Sequence, residues 1–274
     1  MLTDSGGYMT NSINEIKGYW NNRAKEHTSD RQGTTNDVYL RELEINTIAD
    51  KIRELDLCAG AALIDIGCGD GYSTMRLAKE FPEYDFTGVD YSKSMIDNAL
   101  NHRDEDAELK RNVQFKVADV LNLNDALGDA MFDVAISMRV LINLPELSQQ
   151  EAAIRNVASK CAPNGRYIAV ENFMDGQRNL NELRASVGLP DISVRWHNRF
   201  FEKEEFENAA KNSFKSMSFI DFASSYYYVT RVVYSKMCQI QGIEPSYDHD
   251  LYNVAVELPY HGEFSPIRMI VLGK

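Results

Sequence analysis

The chain has 274 residues, of which 44% are apolar and 26% charged, a composition that argues against a disordered or fibrous protein. Its formal net charge of −12 disfavours a nucleic-acid partner, because phosphate contacts need a basic face. Four scattered cysteines without a C-x-x-C pair predict no disulfide framework and no metal site, which indicates reduced thiols in a cytoplasmic protein, and neither a signal peptide nor a membrane span is expected.

The N-terminal segment has the apolar spacing of helices. Residues 1–11 are polar and are expected to be frayed. Ile13, Ile16, Tyr19 and Trp20 fall at helical spacing, and after a polar break at 26–37 the pattern resumes from Val38. We expect Asn36 or Asp37 to cap this second helix. Residues 1–55 are therefore predicted to be a helical cap on a larger domain at 56–274.

From residue 62 onward, strand and helix patterns alternate. Apolar strands are predicted at 62–67, 85–90, 112–119, 132–138 and 166–173, with helices between them at 72–82, 92–102 and 147–162. Ser92 is a natural N-cap for the second of these helices. Repeated strand–helix units indicate an α/β fold with a parallel sheet and right-handed crossovers.

The rhythm changes after Phe173. Residues 174–214 are predicted to be an insert on the substrate side of the sheet, with one helix near 201–210. Strand patterns follow at 215–222 and 267–273, and a tyrosine-rich helix is predicted at 226–239. Aromatic clusters usually pack, so Tyr226, Tyr227 and Tyr228 are expected on the buried side and rim of that helix.

A glycine-rich turn follows the first strand, in the sequence LIDIGCGDG. Gly67, Gly69 and Gly71, with Cys68 between them, allow a tight turn and the close approach of a ligand at the carboxyl end of the strand. The spacing is one residue tighter than the G-x-G-x-x-G of dinucleotide-binding proteins. Asp65, two residues before the turn, would repel pyrophosphate and suit a cationic ligand.

Two further acids end the next two strands. Asp90 can accept hydrogen bonds from both hydroxyls of a ribose. Asp119 can accept one from an adenine amino group, with the ring held between Tyr91, Met95, Val120 and Leu121. As alternatives, Asp90 is an N-cap and Asp119 a turn former, since Asp favours both settings.

Together these motifs resemble the class I S-adenosylmethionine-dependent methyltransferases over about residues 35–175. The resemblance is carried by D-x-G-x-G-x-G, the V-D and A-D that end strands two and three, FDVAIS, and P-x-G-R before strand five. It implies a Rossmann-like sheet of seven strands, mostly parallel, with helices on both faces and the last strand antiparallel. It also implies that S-adenosylmethionine contacts Asp65, Gly67, Cys68, Gly69, Gly71, Asp90, Tyr91, Met95, Asp119, Val120 and Ser137.

Methyl transfer to a hydroxyl requires removal of its proton, so we searched for a base near the expected substrate side. His197 in the insert, His27 in the cap and Glu171 at the end of strand five are the candidates. Each is also open to a structural interpretation, such as a histidine packed beneath the insert. Asn143, in the turn after strand four, is a candidate polar contact to the substrate.

The arginines near these positions suggest an anionic small-molecule acceptor. Arg139, Arg195 and Arg199 can bind a carboxylate or phosphate with two hydrogen bonds each, and Trp196 would add an aromatic wall. Tyr19 and Trp20 either close over the cofactor as a lid or only pack on the sheet. The segments around the cap and insert also resemble small-molecule methyltransferases of bacterial surface-polysaccharide or natural-product pathways.

The prediction from sequence is therefore O-methylation of a sugar or small acid with a histidine base. The alternatives are N-methylation of a small amine or amino sugar, a nicotinamide-dependent oxidoreductase, and a partner protein that binds the cofactor without catalysis. A nucleic-acid methyltransferase is disfavoured because no Pro-Pro motif follows strand four, and a metal-dependent O-methyltransferase because residues 137–139 supply no acids.

Overall fold

A computed structural model describes residues 12–27 and 33–274, so the expectation for residues 1–11 lies outside the described residues. Two helices precede the sheet, α1 (Ile13–Glu26) and α2 (Val38–Glu54). Ser12 caps α1 with a capping box that includes Glu15. Asp37 caps α2, its Oδ1 accepting the Leu40 amide at 3.0 Å, which confirms one of the two predicted caps.

Seven strands form one sheet in the order β3-β2-β1-β4-β5-β7-β6. Strand β7 is antiparallel to both of its neighbours, β5 and β6, whereas all other described strand pairs are parallel. The predicted sheet with an antiparallel last strand is confirmed. The strands are β1 (Ala62–Ile66), β2 (Asp85–Asp90), β3 (Val113–Val117), β4 (Phe132–Met138), β5 (Cys161–Asn172), β6 (Ser216–Asp221) and β7 (Ile267–Gly273).

Helices cover both faces of the sheet, and two buried clusters divide its side chains. In β1, Leu63 belongs to one cluster and Ile64 and Ile66 to the other, as the alternation of side chains along a strand requires. The helices after α2 are α3 (Tyr72–Glu80), α4 (Lys93–Asp104), α5 (Leu123–Leu127), α6 (Leu147–Lys160), α7 (Met174–Ser186), α8 (Lys203–Ala210), α9 (Ser224–Tyr227), α10 (Tyr234–Gln241) and α11 (Asp250–Val256).

The insert after β5 is more helical than predicted. Helix α8 was expected, but α7 was missed, because its sequence MDGQRNLNELRAS is mostly polar and contains few apolar residues at helical spacing. The predicted tyrosine-rich helix exists as α9 and α10, joined by a six-residue π-helical stretch, Tyr228–Val233. No described helix is long and apolar enough to cross a membrane.

Candidate active site

A cavity of about 320 Å³ opens at the carboxyl edge of the parallel strands, beneath α1 and the start of α2. This is the edge at which parallel α/β sheets bind ligands. Predicted site residues in its wall are Gly67, Cys68, Gly69, Asp90, Tyr91, Met95, Asp119, Val120, Arg139, Asn143, Arg195 and His197. The first eight surround the ends of β1, β2 and β3, which we call the cofactor half, and the others belong to the acceptor half over β4, β5 and β7.

The glycine turn forms the floor of the cofactor half. Gly67 has φ +71° and Gly69 φ +54°, a region that costs other residues energy. A Cβ on Gly67 would lie 2.4 Å from Val140, and one on Gly69 2.5 Å from Thr34. Both positions therefore require glycine, for their backbone conformation and for the close packing of Val140 and Thr34 in the cavity wall.

Two members of the motif lie behind this floor rather than in the cavity wall. Gly71, with φ +78°, faces Phe115 and Ala99. Asp65 is buried and accepts a 2.6 Å hydrogen bond from the Thr74 hydroxyl, which joins β1 to the first turn of α3. Burial raises the pKa of Asp65 to about 7. Neither residue lines the cavity, so their contact with a cofactor stays a prediction.

Asp90 is the carboxylate that faces the cofactor half from β2. Its Oδ2 accepts the Gly69 amide at 3.1 Å and its Oδ1 accepts the Ser92 amide at 2.8 Å. Burial raises its pKa to about 6, although these two hydrogen bonds oppose the shift. Each carboxylate oxygen can accept a second hydrogen bond, so Asp90 remains able to hold ribose hydroxyls.

Asp119 faces the same half from the end of β3. Its Oδ1 accepts the Leu121 amide at 3.0 Å, and its Oδ2 lies 2.5 Å from the ammonium group of Lys17 on α1. The Tyr91 hydroxyl is 3.4 Å from the Lys17 carbonyl oxygen. Helix α1 therefore closes the cofactor half through charge and hydrogen bonds, a contact that sequence reasoning did not predict.

His197 reaches the cavity from the insert and lies within an aromatic cage. Its ring stacks on Tyr19 with centroids 4.6 Å apart, and Trp20 and Trp196 contact it edge-on at 5.6 Å and 5.2 Å. The side chain is only 4% exposed. Burial, reinforced by Arg195 and Arg23, lowers its pKa to about 4. The imidazole is therefore neutral at pH 7 and able to accept a proton.

The other two base candidates are not placed in the cavity wall. Glu171 is fully buried and accepts hydrogen bonds from the amides of Val140, Leu141 and Ile142 at 3.1, 2.9 and 3.3 Å. It thereby holds the turn after β4 and positions the neighbouring side chains. His27 is the C-terminal cap of α1, and its backbone amide donates to the Arg23 carbonyl.

A methyltransferase domain family matches residues 57–187 of the chain. "O-methyltransferase cnsE" of Penicillium expansum is 27% identical over 64% of the chain and 55% of the relative. "27-O-demethylrifamycin SV methyltransferase" of Amycolatopsis mediterranei is 33% identical over 44% of the chain and 41% of the relative. The chain thus spans about half the length of these two relatives. Magnesium protoporphyrin IX methyltransferase from Synechocystis PCC 6803, solved with bound SAH, superposes with a TM-score of 0.61 at 13% identity, over 96% of this chain and all of that one.

A methyltransferase domain thus matches a little under half of the chain, and the fold is that of a class I S-adenosylmethionine-dependent methyltransferase. The cofactor of this family is S-adenosylmethionine, and the bare glycine turn and the carboxylate of Asp90 fit its methionine and ribose portions. The cationic sulfonium also suits a cavity half that carries Asp90 and Asp119.

Four more predicted residues lie outside the wall of the methyltransferase cavity. Ser137 is buried beneath it, with its hydroxyl 2.7 Å from that of Tyr167. Arg199 donates to Gln150 and Glu205 on the insert side, both at 2.8 Å. Trp196 is 51% exposed. Tyr19 supports His197 from behind, and it is Trp20, not Tyr19, that reaches the cavity, donating through Nε1 to Asn143 Oδ1 at 3.0 Å.

The cavity wall also contains residues that sequence reasoning missed. In the acceptor half these are Asp37, Asn172, Tyr227, Arg231 and Tyr247, and in the cofactor half Lys17. Asn172 is the last residue of β5, so the rule that ligands meet the carboxyl ends of strands could have identified it. The others come from α1, from the start of α2 and from the C-terminal helices, whose packing over the sheet no local pattern reveals.

Proposed function

We propose that this protein transfers a methyl group from S-adenosylmethionine to an oxygen of a small anionic molecule, namely a hydroxyl of a sugar or small acid. His197 is the group that takes the hydroxyl proton. Both curated relatives described above have names that specify O-methylation. The observation that carries the proposal is His197 itself, which lines the acceptor half with a buried Nδ1 that has no hydrogen-bond partner among the described residues.

In the proposed mechanism, the protein aligns the two reactants and accepts the proton of the hydroxyl group. When bound, S-adenosylmethionine supplies an electrophilic methyl group on a cationic sulfur. Orienting the two reactants for in-line displacement contributes about 7–11 kcal/mol in favourable cases. Asp90 and the glycine turn fix one reactant, and Asn143 and the acceptor half fix the other.

Proton acceptance by His197 follows from its protonation state. Its lowered pKa makes it a weak base but keeps it neutral at physiological pH. A hydroxyl oxygen becomes strongly acidic as it gains a methyl group, so even a weak base in hydrogen-bond reach can remove the proton. The caging rings of Tyr19 and Trp20 hold the imidazole in place and exclude water.

The experiment is a transfer assay with methyl-labelled S-adenosylmethionine against sugars, nucleotide-sugars, hydroxy acids and amines. We expect label on oxygen. His197→Gln should lower kcat by about 10²- to 10⁴-fold with unchanged affinity for S-adenosylhomocysteine, and His249→Gln, an exposed helix cap far along the chain, is the matched control. An unchanged kcat in His197→Gln would show that His197 is not the general base. Label on nitrogen supports the N-methylation alternative, and binding of NAD instead of S-adenosylmethionine overturns the proposal.

A further inference from the structure

We infer that Arg139 and Arg231 form an anion-binding subsite in the acceptor half, which holds a carboxylate or phosphate of the acceptor other than the oxygen that is methylated. The inference rests on the proposed function, because it names the second functional group of the same substrate. Both arginines line the cavity. The buried ring of Tyr227 lies beside them, 5.6 Å from the Arg231 guanidinium, and both cations counteract the rise in its pKa that burial causes.

The backbone of Arg139 is held in an unfavourable conformation. Its φ is +54°, and the other described non-glycine residues with positive φ are Asp56 and Asn164, residue types that tolerate this region. The Arg139 amide donates to Val170 at 2.7 Å, and its carbonyl accepts from Asn143 at 2.6 Å. Such strain concentrates at functional sites. Here its effect is to place the guanidinium at the cavity wall.

Arg231 is placed by a second irregularity, the π-helical stretch Tyr228–Val233. π-helical turns are rare and frequent at functional sites. The guanidinium forms an ion pair with Asp37 and donates to the Tyr252 hydroxyl at 2.9 Å. These contacts use two of its five N–H donors. Tyrosine rings at 5.2 Å (Tyr247) and 5.4 Å (Tyr252) restrict its motion, so it is oriented before any ligand arrives.

The acceptor half has more positive than negative charge. Arg139 pairs with Glu44, whose oxygen lies 3.1 Å from Nη2, and the carboxylates of Asp37 and Glu171 also favour its charged form. Glu44 is fully buried, and neither of its oxygens has a hydrogen-bond partner within the described residues. The Arg139 guanidinium therefore makes no hydrogen bond to Glu44, and its N–H donors remain available to a carboxylate or phosphate. Around this half lie three carboxylates, Asp37, Glu44 and Glu171, and four arginines, Arg41, Arg139, Arg195 and Arg231.

Asn172 supplies an independent indication of a ligand. It is 6% exposed, lines the same cavity, and its Oδ1 has no hydrogen-bond partner in the described part of the chain. A buried acceptor without a donor is costly, and a ligand hydroxyl would satisfy it. Leu180, Ile192 and Ile267 complete this wall with apolar surface. The acceptor class is therefore a small acid or phosphate ester with an apolar body and at least one hydroxyl.

The test measures binding without turnover, by calorimetry on the full chain saturated with S-adenosylhomocysteine. The probes are hydroxylated derivatives of three hydrocarbons: benzene, phenylpropane and hexane. Each hydrocarbon is tested with a carboxylate, with a phosphate ester and with a neutral carboxamide. For at least one of the three hydrocarbons, we expect the carboxylate or the phosphate ester to bind about tenfold to a hundredfold more tightly than the carboxamide of the same hydrocarbon. Comparison of the two anionic arms identifies which group the subsite takes.

Charge-balanced variants assign the preference to the two arginines. Arg231→Gln with Asp37→Asn, and Arg139→Gln with Glu44→Gln, each remove one arginine without leaving a buried charge unpaired. Both should abolish most of the anion preference. If a double variant fails to fold, Arg139→Lys or Arg231→Lys takes its place. These substitutions keep the charge but lose the planar guanidinium, so they should reduce the anion preference. Arg199→Gln is the matched control, since Arg199 pairs with Glu205 outside the cavity.

The outcomes of these experiments distinguish failure of the subsite from failure of the proposed function. Equal binding of anionic and neutral probes to the unmodified protein overturns the subsite, and so does an anion preference that survives in all the arginine variants. If acids bind preferentially but no acceptor is methylated, the subsite stands and the proposed function falls. If neutral molecules are methylated on oxygen and no acid is preferred, O-methylation stands, but the anionic acceptor and the subsite both fall.

Discussion

The ammonium group of Lys17 lies 2.5 Å from Oδ2 of Asp119. Asp119 is also the carboxylate to which the family resemblance assigns the adenine amino group. Two donors thus compete for one oxygen, and one of them belongs to the helix that covers the cavity. The same helix is tied to the wall through Asn21, which accepts the Ser92 hydroxyl at 2.6 Å. We therefore expect cofactor binding to be coupled to the position of α1.

Lys17→Met should tighten the binding of S-adenosylhomocysteine by about twofold to fivefold, because a partly exposed ion pair contributes up to about 1 kcal/mol. Titration calorimetry measures the change. Lys93→Met, which removes an exposed lysine paired with Asp97, is the control. Weaker binding in Lys17→Met would show that Lys17 holds the cofactor rather than competing with it.

Cofactor affinity should depend on pH through Asp90. Its pKa is raised to about 6 by burial, so the group is an acceptor-only carboxylate at pH 8 and takes up a proton as the pH falls through 6. Affinity for S-adenosylmethionine should therefore fall between pH 8 and pH 5. Asp90→Asn should weaken binding by about tenfold to a hundredfold and flatten this dependence.

Asp65 provides the control for that experiment, because its pKa is raised to about 7 but its side chain bonds to Thr74 behind the cavity. Asp65→Asn should leave the pH dependence of cofactor binding largely intact. Calorimetry between pH 8 and pH 5 measures the pH dependence of cofactor affinity in both variants. If this dependence persists in Asp90→Asn but disappears in Asp65→Asn, the titrating group is Asp65 and not Asp90.

The turnover of a hydroxyl acceptor should show no histidine-type inflection near pH 6.5. His197 has a pKa lowered to about 4, so the neutral base persists down to that pH, and kcat should stay level from pH 8 to about 5 before falling. Rates at saturating substrates measure this. An inflection between pH 6 and 7 that disappears in His197→Gln would contradict the desolvated environment described above.

The same shift has a consequence for stability. The unfolded chain protonates His197 near pH 6.5 whereas the folded chain does so only near 4, so protons favour the unfolded state between these values. The free energy of unfolding should fall as the pH drops from about 6.5 to 4, and part of that slope should be absent in His197→Gln. Urea unfolding at several pH values measures it, and identical slopes would contradict the prediction.

Glu171→Ala should destabilise the fold, because it leaves the amides of Val140, Leu141 and Ile142 without their acceptor. Each unsatisfied buried donor costs about 1–3 kcal/mol, so we expect a loss of about 3 kcal/mol or more in the free energy of unfolding. Glu171→Gln keeps an acceptor oxygen and should lose much less. Equal stability of both variants would show that the turn after β4 does not depend on this carboxylate.

The seven strands follow closely from local sequence, whereas their order in the sheet was not predicted from it. Apolar runs of five to seven residues, glycine punctuation and helical spacing identified every strand of the sheet. Gly67, Gly69, Asp90 and Asp119 were also found from sequence, because strand ends in a parallel sheet converge on one edge. Helix α7 escaped detection because tertiary contacts, not an apolar stripe, keep it helical.

Roles that depend on side-chain direction could not be predicted. Asp65 and Asp90 look equivalent in sequence, yet one bonds to Thr74 behind the turn and the other faces the cavity. Glu171 was a candidate base until the structure showed its oxygens bonded to three backbone amides. A residue at the end of a strand must lie at one edge of the sheet. Its position along the chain does not determine whether its side chain points into the cavity or behind the turn.

By itself, the sequence determined the α/β architecture and the edge of the sheet at which the cavity opens, since periodicity and glycine spacing are local properties of the chain. Its motifs also carried the resemblance to the class I methyltransferases. Only the tertiary structure decided what surrounds the acceptor. Arg231 and Asp37 are 194 residues apart, and Lys17 and Asp119 are 102 apart. Such contacts arise when helices from both ends of the chain pack over one sheet, a global arrangement that no short stretch of sequence encodes.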